Sequence, residues 1–173
     1  MDEIILAKKA KSGDKDAFAK LYTLYKDRLY RYAFYKLGSK PDAMDAVSDC
    51  ICEAFKYIKT LKKPEAFQAW IFRILYRSCS RQIKEQAKIR EQAELDENTV
   101  SYTEDFSKAE LSEALEILSE EEKDIVLLSC VAGYNSREIA KILGLKSNTV
   151  RSKLSRSLKK LREFLEDTDE DRL

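Results

Sequence analysis

Histidine is absent from this 173-residue chain, which removes the commonest general base and the commonest metal ligand. No Gly-rich phosphate loop and no paired nucleophile and base stand out either. That argues against an enzyme and leaves no cofactor, metal or small-molecule substrate to expect. Only four glycines and two prolines interrupt the chain, and no segment alternates apolar and polar residues as a half-buried strand does. With Leu, Ala, Lys and Glu abundant, the expected fold class is all-α. No apolar run is long enough to span a bilayer and no signal-peptide pattern occurs, so a cytoplasmic location is expected. The four cysteines are Cys50, Cys52, Cys79 and Cys130. On a helix Cys50 and Cys52 point about 200° apart and cannot share a metal through one face. All four are expected as small apolar fillers.

What is present is charge, and it is segregated. The totals nearly cancel, 32 Lys and Arg against 31 Asp and Glu. Residues 1–90 hold 20 basic and 11 acidic side chains, residues 91–125 hold 2 and 13, residues 126–164 hold 9 and 2, and residues 165–173 hold 1 and 5. Two basic blocks separated by an acidic one point to two polyanion-facing surfaces and a segment with another role. A hydrophobic content of 44% is enough for the cores of one or two small domains.

The most specific stretch is residues 134–161, YNSREIAKILGLKSNTVRSKLSRSLKKL. Its spacing predicts a short helix over 136–143 with Ile139, Ala140 and Leu143 inward, a break at Gly144, Leu145 plugging the turn, and Ser147 capping a second helix. This is the punctuation of a helix-turn-helix. On the second helix Val150, Leu154, Leu158 and Leu161 share the packed stripe. Asn148, Thr149, Ser152, Arg156 and Lys159 lie roughly opposite, flanked by Arg151 and Lys153. Hydroxyl, amide and cationic groups at a helix start suit base edges and phosphates, and the acid-poor face sets it apart from an ordinary solvated one. A DNA-facing set of Ser147, Asn148, Thr149, Arg151, Ser152, Lys153, Arg156 and Lys159 follows.

Upstream, helical periods predict helices over 1–11, 14–37, 42–61 and roughly 65–90. The third has Met44, Val47, Ile51, Ala54, Phe55 and Ile58 as its core side. Asp42, Asp45, Asp49 and Glu53 form an acidic line within about 80° of arc on the far side. That line is either a plain solvated face or the docking surface for a basic protein partner. The fourth helix carries Arg73, Arg77, Arg81, Lys84 and Lys88 in one stripe, with Trp70 a turn earlier on the same face. Trp alone is more often core, but beside a row of cations it matches a surface that stacks and neutralises single-stranded DNA. Lys62, Lys63 and Pro64 occupy the loop between these helices. Residues 91–108 read as a flexible acidic linker. Ser107 with Glu110 and Ser119 with Glu122 look like capping boxes opening helices near 108–118 and 120–132. Residues 166–173 read as a frayed acidic tail.

This order of parts resembles an extracytoplasmic-function (ECF) sigma factor of bacterial RNA polymerase. The stretch LSEEEKDIVLLSCVAGYNSREIAKILGLKSNTVRSKL is similar to sigma region 4. The stretches AFAKLYTLYKDRLYRYAF, DAMDAVSDCICEAF and FQAWIFRILYRSCSRQIK are similar to region 2. The resemblance covers about 14–90 and 111–162 and implies two small helical domains, 1–90 and 109–173, joined by the linker. It implies that Asp42, Asp45, Asp49 and Glu53 dock on the clamp helices of core RNA polymerase. The Trp70–Lys88 face and the loop with Lys62 and Lys63 would open and hold the minus-ten strand. The second helix of the helix-turn-helix would read the minus-thirty-five duplex, and the linker would run through or beside the RNA exit channel. A contact of region 4 with the polymerase flap and a membrane-anchored anti-sigma factor are implied in the same way. Relatives often carry an acid where Met44 stands, Asn and Asp where Arg77 and Arg81 stand, and Gly where Asn148 stands. Region 4 also resembles the helix-turn-helix of LuxR-type regulators, so that motif alone leaves a DNA-binding regulator as an alternative. The N-terminal half, with no strand–helix alternation of a receiver domain, favours the sigma reading.

Overall fold

The computed structural model describes residues 2–92, 111 and 113–170, and every regular element among them is helical. The chain divides into two compact units, Met1–Glu97 and Asn98–Leu173. Residues 93–108 of the expected linker, and the expected capping box of Ser107 with Glu110, lie outside the described residues.

The first unit opens with α1 (Glu3–Lys11), whose free N–H groups begin on the Asp2 carboxylate. Helix α2 (Lys15–Leu37) is capped by Asp14, which accepts from the Ala17 N–H at 3.0 Å, and closes at Gly38. Gly38 has φ 70°, a left-handed conformation open to glycine without strain. Helix α3 spans Lys40–Tyr57. Its cap is Ser39, so it starts two residues before the expected Asp42, and Pro41 sits in the first turn, where its missing N–H costs nothing. The chain then makes two 3-10 turns, Ile58–Thr60 and Pro64–Ala66, before α4 (Phe67–Gln92). The expected helix through Leu61 therefore ends four residues early. Tyr25, Tyr32, Phe67, Phe72, Leu21, Leu29, Leu61, Ile71 and Leu75 are fully buried and form the core. Edge-to-face pairs Tyr25–Phe67 at 5.5 Å and Tyr32–Phe72 at 6.0 Å tie α2 to α4.

The packed face of α3 differs from the expected one. Ala43, Ala46, Val47, Cys50 and Ala54 are buried, whereas Met44 is 61% and Phe55 47% exposed. The helix is turned by roughly a quarter-turn from the orientation that its largest apolar residues predict. The reason is proximity. Small side chains let α3 approach so closely that the Cys50 Sγ lies 3.6 Å from the Ile71 carbonyl oxygen of α4. Phe55 still packs edge-on against Phe18 of α2, at 5.2 Å. The cysteines divide accordingly: Cys50 and Cys79 are buried, while Cys52 and Cys130 are exposed rather than core fillers.

In the second unit, residues 113–116 are helical and Ala114, Leu115 and Leu118 are buried. Helix α5 (Glu120–Val126) opens on the expected capping box of Ser119 and Glu122. It then widens into a π-helical turn, Leu127–Val131, which the apolar period does not signal. Helix α6 spans Ser136–Leu143, capped reciprocally by Asn135 and Glu138. It ends at Gly144, φ 72°, and the Leu145 N–H returns to the Ala140 carbonyl. Its buried positions are Ile139, Ala140 and Ile142, with Ile142 in place of the expected Leu143. Helix α7 spans Ser147–Glu170. The Val150 N–H bonds the Lys146 carbonyl, so the cap falls on Lys146 and Ser147 is already helical. The helix also runs on to Glu170, through the start of the tail expected to fray.

Candidate nucleic-acid interface

Helices α6 and α7 with the Gly144 turn make a helix-turn-helix. Val150, Ser157 and Leu161 are buried, which fixes the roll of α7 and turns Asn148, Arg151, Ser152 and Arg156 outward as exposed side chains. Ser147 and Thr149 are half-buried beside them. Two hydrogen bonds shape this face: Ser152 Oγ donates to the Thr149 carbonyl at 3.1 Å, and Arg156 Nε donates to the Ser152 carbonyl at 3.4 Å. The Arg156 guanidinium thereby lies back along the first turns of α7.

Two cations of the expected DNA-facing set are held by carboxylates. Lys153 Nζ lies 2.6 Å from Glu121 Oε1 on α5, and Lys159 pairs along its own helix with Glu163 at 3.6 Å. A third pair, Lys160 with Glu122 at 2.9 Å, was not foreseen. The partners lie 32 and 38 residues apart in the chain, and local pattern carries no sign of such contacts. The Lys160 ammonium and, after it, the Ser119 N–H hold the Glu122 carboxyl down at about 2, from an ordinary 4.5.

In the first unit, the acidic line of α3 and the basic stripe of α4 meet. Arg77 Nη2 donates to Glu53 Oε1 at 3.2 Å, Arg81 Nη2 to Asp49 Oδ2 at 3.1 Å, and Gln86 Nε2 to Asp42 Oδ2 at 3.0 Å. Residue numbers fall along α3 as they rise along α4, so the two helices are antiparallel and the three contacts form a ladder. The sequence pattern assigns the two faces different partners and gives no sign of contact between them. They are joined because the quarter-turn of α3 brings Asp49 and Glu53 to the edge of α4. Asp45 stays exposed and, among the described residues, pairs with no cation. Lys62, Lys63, Lys84 and Lys88 are likewise exposed without a carboxylate partner among the described residues, and Arg73 is exposed. Trp70 is half-buried, its ring 6.0 Å from that of Phe67, with part of its surface left open. Tyr76, Ser80 and Glu85 border a shallow surface depression together with Arg77, Arg81, Lys84 and Lys88.

Comparison with known proteins decides between the two sequence readings. The sigma-70 region 2 family matches residues 21–89, and the sigma-70 region 4 family matches residues 108–161. RNA polymerase sigma factor SigV of Bacillus subtilis is 31% identical over 159 residues, covering 89% of this chain and 94% of SigV. This chain belongs to the ECF sigma-70 family. It is an alternative sigma factor, a transcription initiation factor that binds RNA polymerase, and the LuxR-like reading finds no support. The ECF sigma factor BldN of Streptomyces coelicolor is 28% identical, and the match covers 94% of this sigma factor but 65% of BldN. Two solved structures share the fold. CnrH, in complex with the cytosolic domain of CnrY, has a TM-score of 0.77 at 23% identity, covering 95% of this sigma factor and 97% of CnrH. RpoE of Bartonella quintana, in complex with the anti-sigma factor NepR, has a TM-score of 0.74 at 20% identity, covering 86% and 96%.

Proposed function

We propose that this sigma factor grips a promoter at two points while docked on core RNA polymerase, and that it has no catalytic activity of its own. Residues 1–90 act as region 2, residues 91–108 as the linker, and residues 109–173 as region 4. Asp42, Asp45, Asp49 and Glu53 dock on the clamp helices, with Asp45 exposed and without a cation partner among the described residues. Region 4 also meets the flap. Lys62, Lys63, Trp70, Arg73, Arg77, Arg81 and Lys84 hold the displaced minus-ten strand, Trp70 by stacking and the cations through phosphates. Asn148, Thr149, Arg151, Ser152 and Arg156 read the minus-thirty-five duplex, with Ser147, Lys153 and Lys159 at its margins. The observation that carries this reading is the pairing, in one chain, of an outward-facing helix-turn-helix surface with a cationic, Trp-bearing face on α4.

The sigma factor works in the cytoplasm and serves a stress or envelope-response regulon. An anti-sigma factor restrains it, a partner class supported by the NepR complex of a structurally similar sigma factor. The anti-sigma factor that restrains this chain is anchored in the membrane. The test is run-off transcription with sigma-free core polymerase on genomic fragments. Promoter-specific transcripts are expected, and their start sites map the two elements. Core polymerase that stays silent with this chain, yet initiates with another sigma factor, would overturn the proposal.

A further inference from the structure

Helix α5 touches the DNA-reading helix through two consecutive acids. Glu121 takes Lys153 and Glu122 takes Lys160. Lys153, Ser157 and Lys160 follow the i, i+4, i+7 spacing of one helical stripe. Ser157, between the two lysines, is fully buried, and its Oγ has no hydrogen-bond partner among the described residues. A small side chain thus marks the tight middle of the stripe, with an ion pair about 10 Å apart at either end. Glu122 is itself fixed: Oε2 accepts from the Ser119 N–H at 3.0 Å while Oε1 holds Lys160. Two anchors on either side of a close contact restrain both the tilt of α7 and its roll about its own axis. Roll matters to recognition, because a 20° turn moves a group at the helix surface by about 2 Å, more than a base-edge hydrogen bond tolerates.

We infer that Glu121 and Glu122 are positioning residues for promoter reading, and that Lys153 and Lys160 serve this clasp rather than the DNA phosphates. The inference rests on the reading of α7 as the minus-thirty-five helix. It assigns a role to residues outside the DNA-facing surface and withdraws Lys153 from that surface. It also makes a prediction of unusual sign. Removing a negative charge near a DNA-binding face ordinarily strengthens binding. Here Glu121→Gln weakens it.

The experiment measures binding of holoenzyme to a duplex carrying the upstream element of a promoter mapped by run-off transcription, over a series of salt concentrations. Glu121→Gln and Lys153→Met are each expected to weaken binding about two- to five-fold, the span of one exposed ion pair, with an unchanged salt slope. Their double variant loses no more than either alone. The swapped pair, Glu121→Lys with Lys153→Glu, recovers most of the affinity, which a phosphate-binding Lys153 would not permit. Lys160→Met leaves the salt slope unchanged in the same way. Tighter binding by Glu121→Gln, a salt slope reduced by about one in Lys153→Met, or a swapped pair no better than Lys153→Met would each overturn the inference. Arg156→Ala separates the two levels of the argument. If it leaves promoter affinity unchanged, the assignment of α7 as the reader fails. If it weakens binding while Glu121→Gln does not, only the positioning role fails.

Discussion

Glu122 gives the second unit a defined response to acid. Its carboxyl is held at about 2 in the fold against an ordinary 4.5. A carboxyl with a depressed folded value stabilises the native state above its unfolded pKa, and that contribution is lost as pH falls through the window from 4.5 to about 2. Glu122→Gln should therefore be less stable than the native chain at neutral pH. The gap should close across that window in thermal melts followed by circular dichroism, whereas parallel curves would deny the linkage. The thiols make a second prediction at this scale. Burial pushes the Cys50 thiol up, with Cys79 and Glu53 adding to it, and burial also raises Cys130. Iodoacetamide should label Cys52 first, Cys130 more slowly, and Cys50 and Cys79 only on unfolding, as peptide mapping by mass spectrometry can read. Ser157 is a buried hydroxyl without a partner among the described residues, and Ser157→Ala is expected to be neutral or stabilising. Ser157→Leu would overfill the same place and cost about 1–3 kcal/mol in urea denaturation.

At the scale of elements, α3 shows how far pattern reading goes. Its acidic line was legible because four carboxylates at helical spacing need no tertiary information. Its buried face was legible only in part: Val47, Ala54 and Ile58 are buried as expected, but Ala43, Ala46 and Cys50 carry little apolar area and packing density alone selects them over Met44 and Phe55. The ladder to α4 was hidden for the same reason, since it follows from the roll of α3. The bounds of the first helix of the helix-turn-helix and its turn were legible, because Gly144 acts locally, whereas the cap of the second falls on Lys146 rather than Ser147. The π-helical turn at Leu127–Val131 has no such local marker. The ladder separates the acids proposed to dock on polymerase into two kinds. Asp45→Lys should weaken core polymerase binding while changing stability by less than about 0.5 kcal/mol, as an exposed position without a partner among the described residues allows. Asp49→Lys should weaken core binding and also place a cation against Arg81, lowering the urea midpoint. Core affinity unchanged in both variants would remove α3 from the docking surface.

For the whole molecule, each of the two units has its own buried core. A fragment of residues 1–97 is expected to keep its helical circular dichroism and its affinity for core polymerase while losing the upstream duplex contact. An unfolded 1–97 fragment would show that the unit depends on the rest of the chain. The two polyanion-facing blocks were legible from charge alone, and they fall on α1–α4 and on α6–α7. The division of labour among the charges was not. Within those blocks some cations face outward and others are spent on neighbouring carboxylates, and only three-dimensional adjacency tells them apart. The alanine and cysteine seam of α3 bears on this directly. Helices separated by small residues pack at the short end of the 8–10 Å range, which is what brings Arg77 and Arg81 within reach of Glu53 and Asp49. An enlargement inside the seam, such as Ala46→Leu, would wedge the helices apart, release two arginines and two carboxylates together, and leave the net charge untouched. The electrostatic face of α3 and α4 is therefore tuned from within, by buried, uncharged side chains.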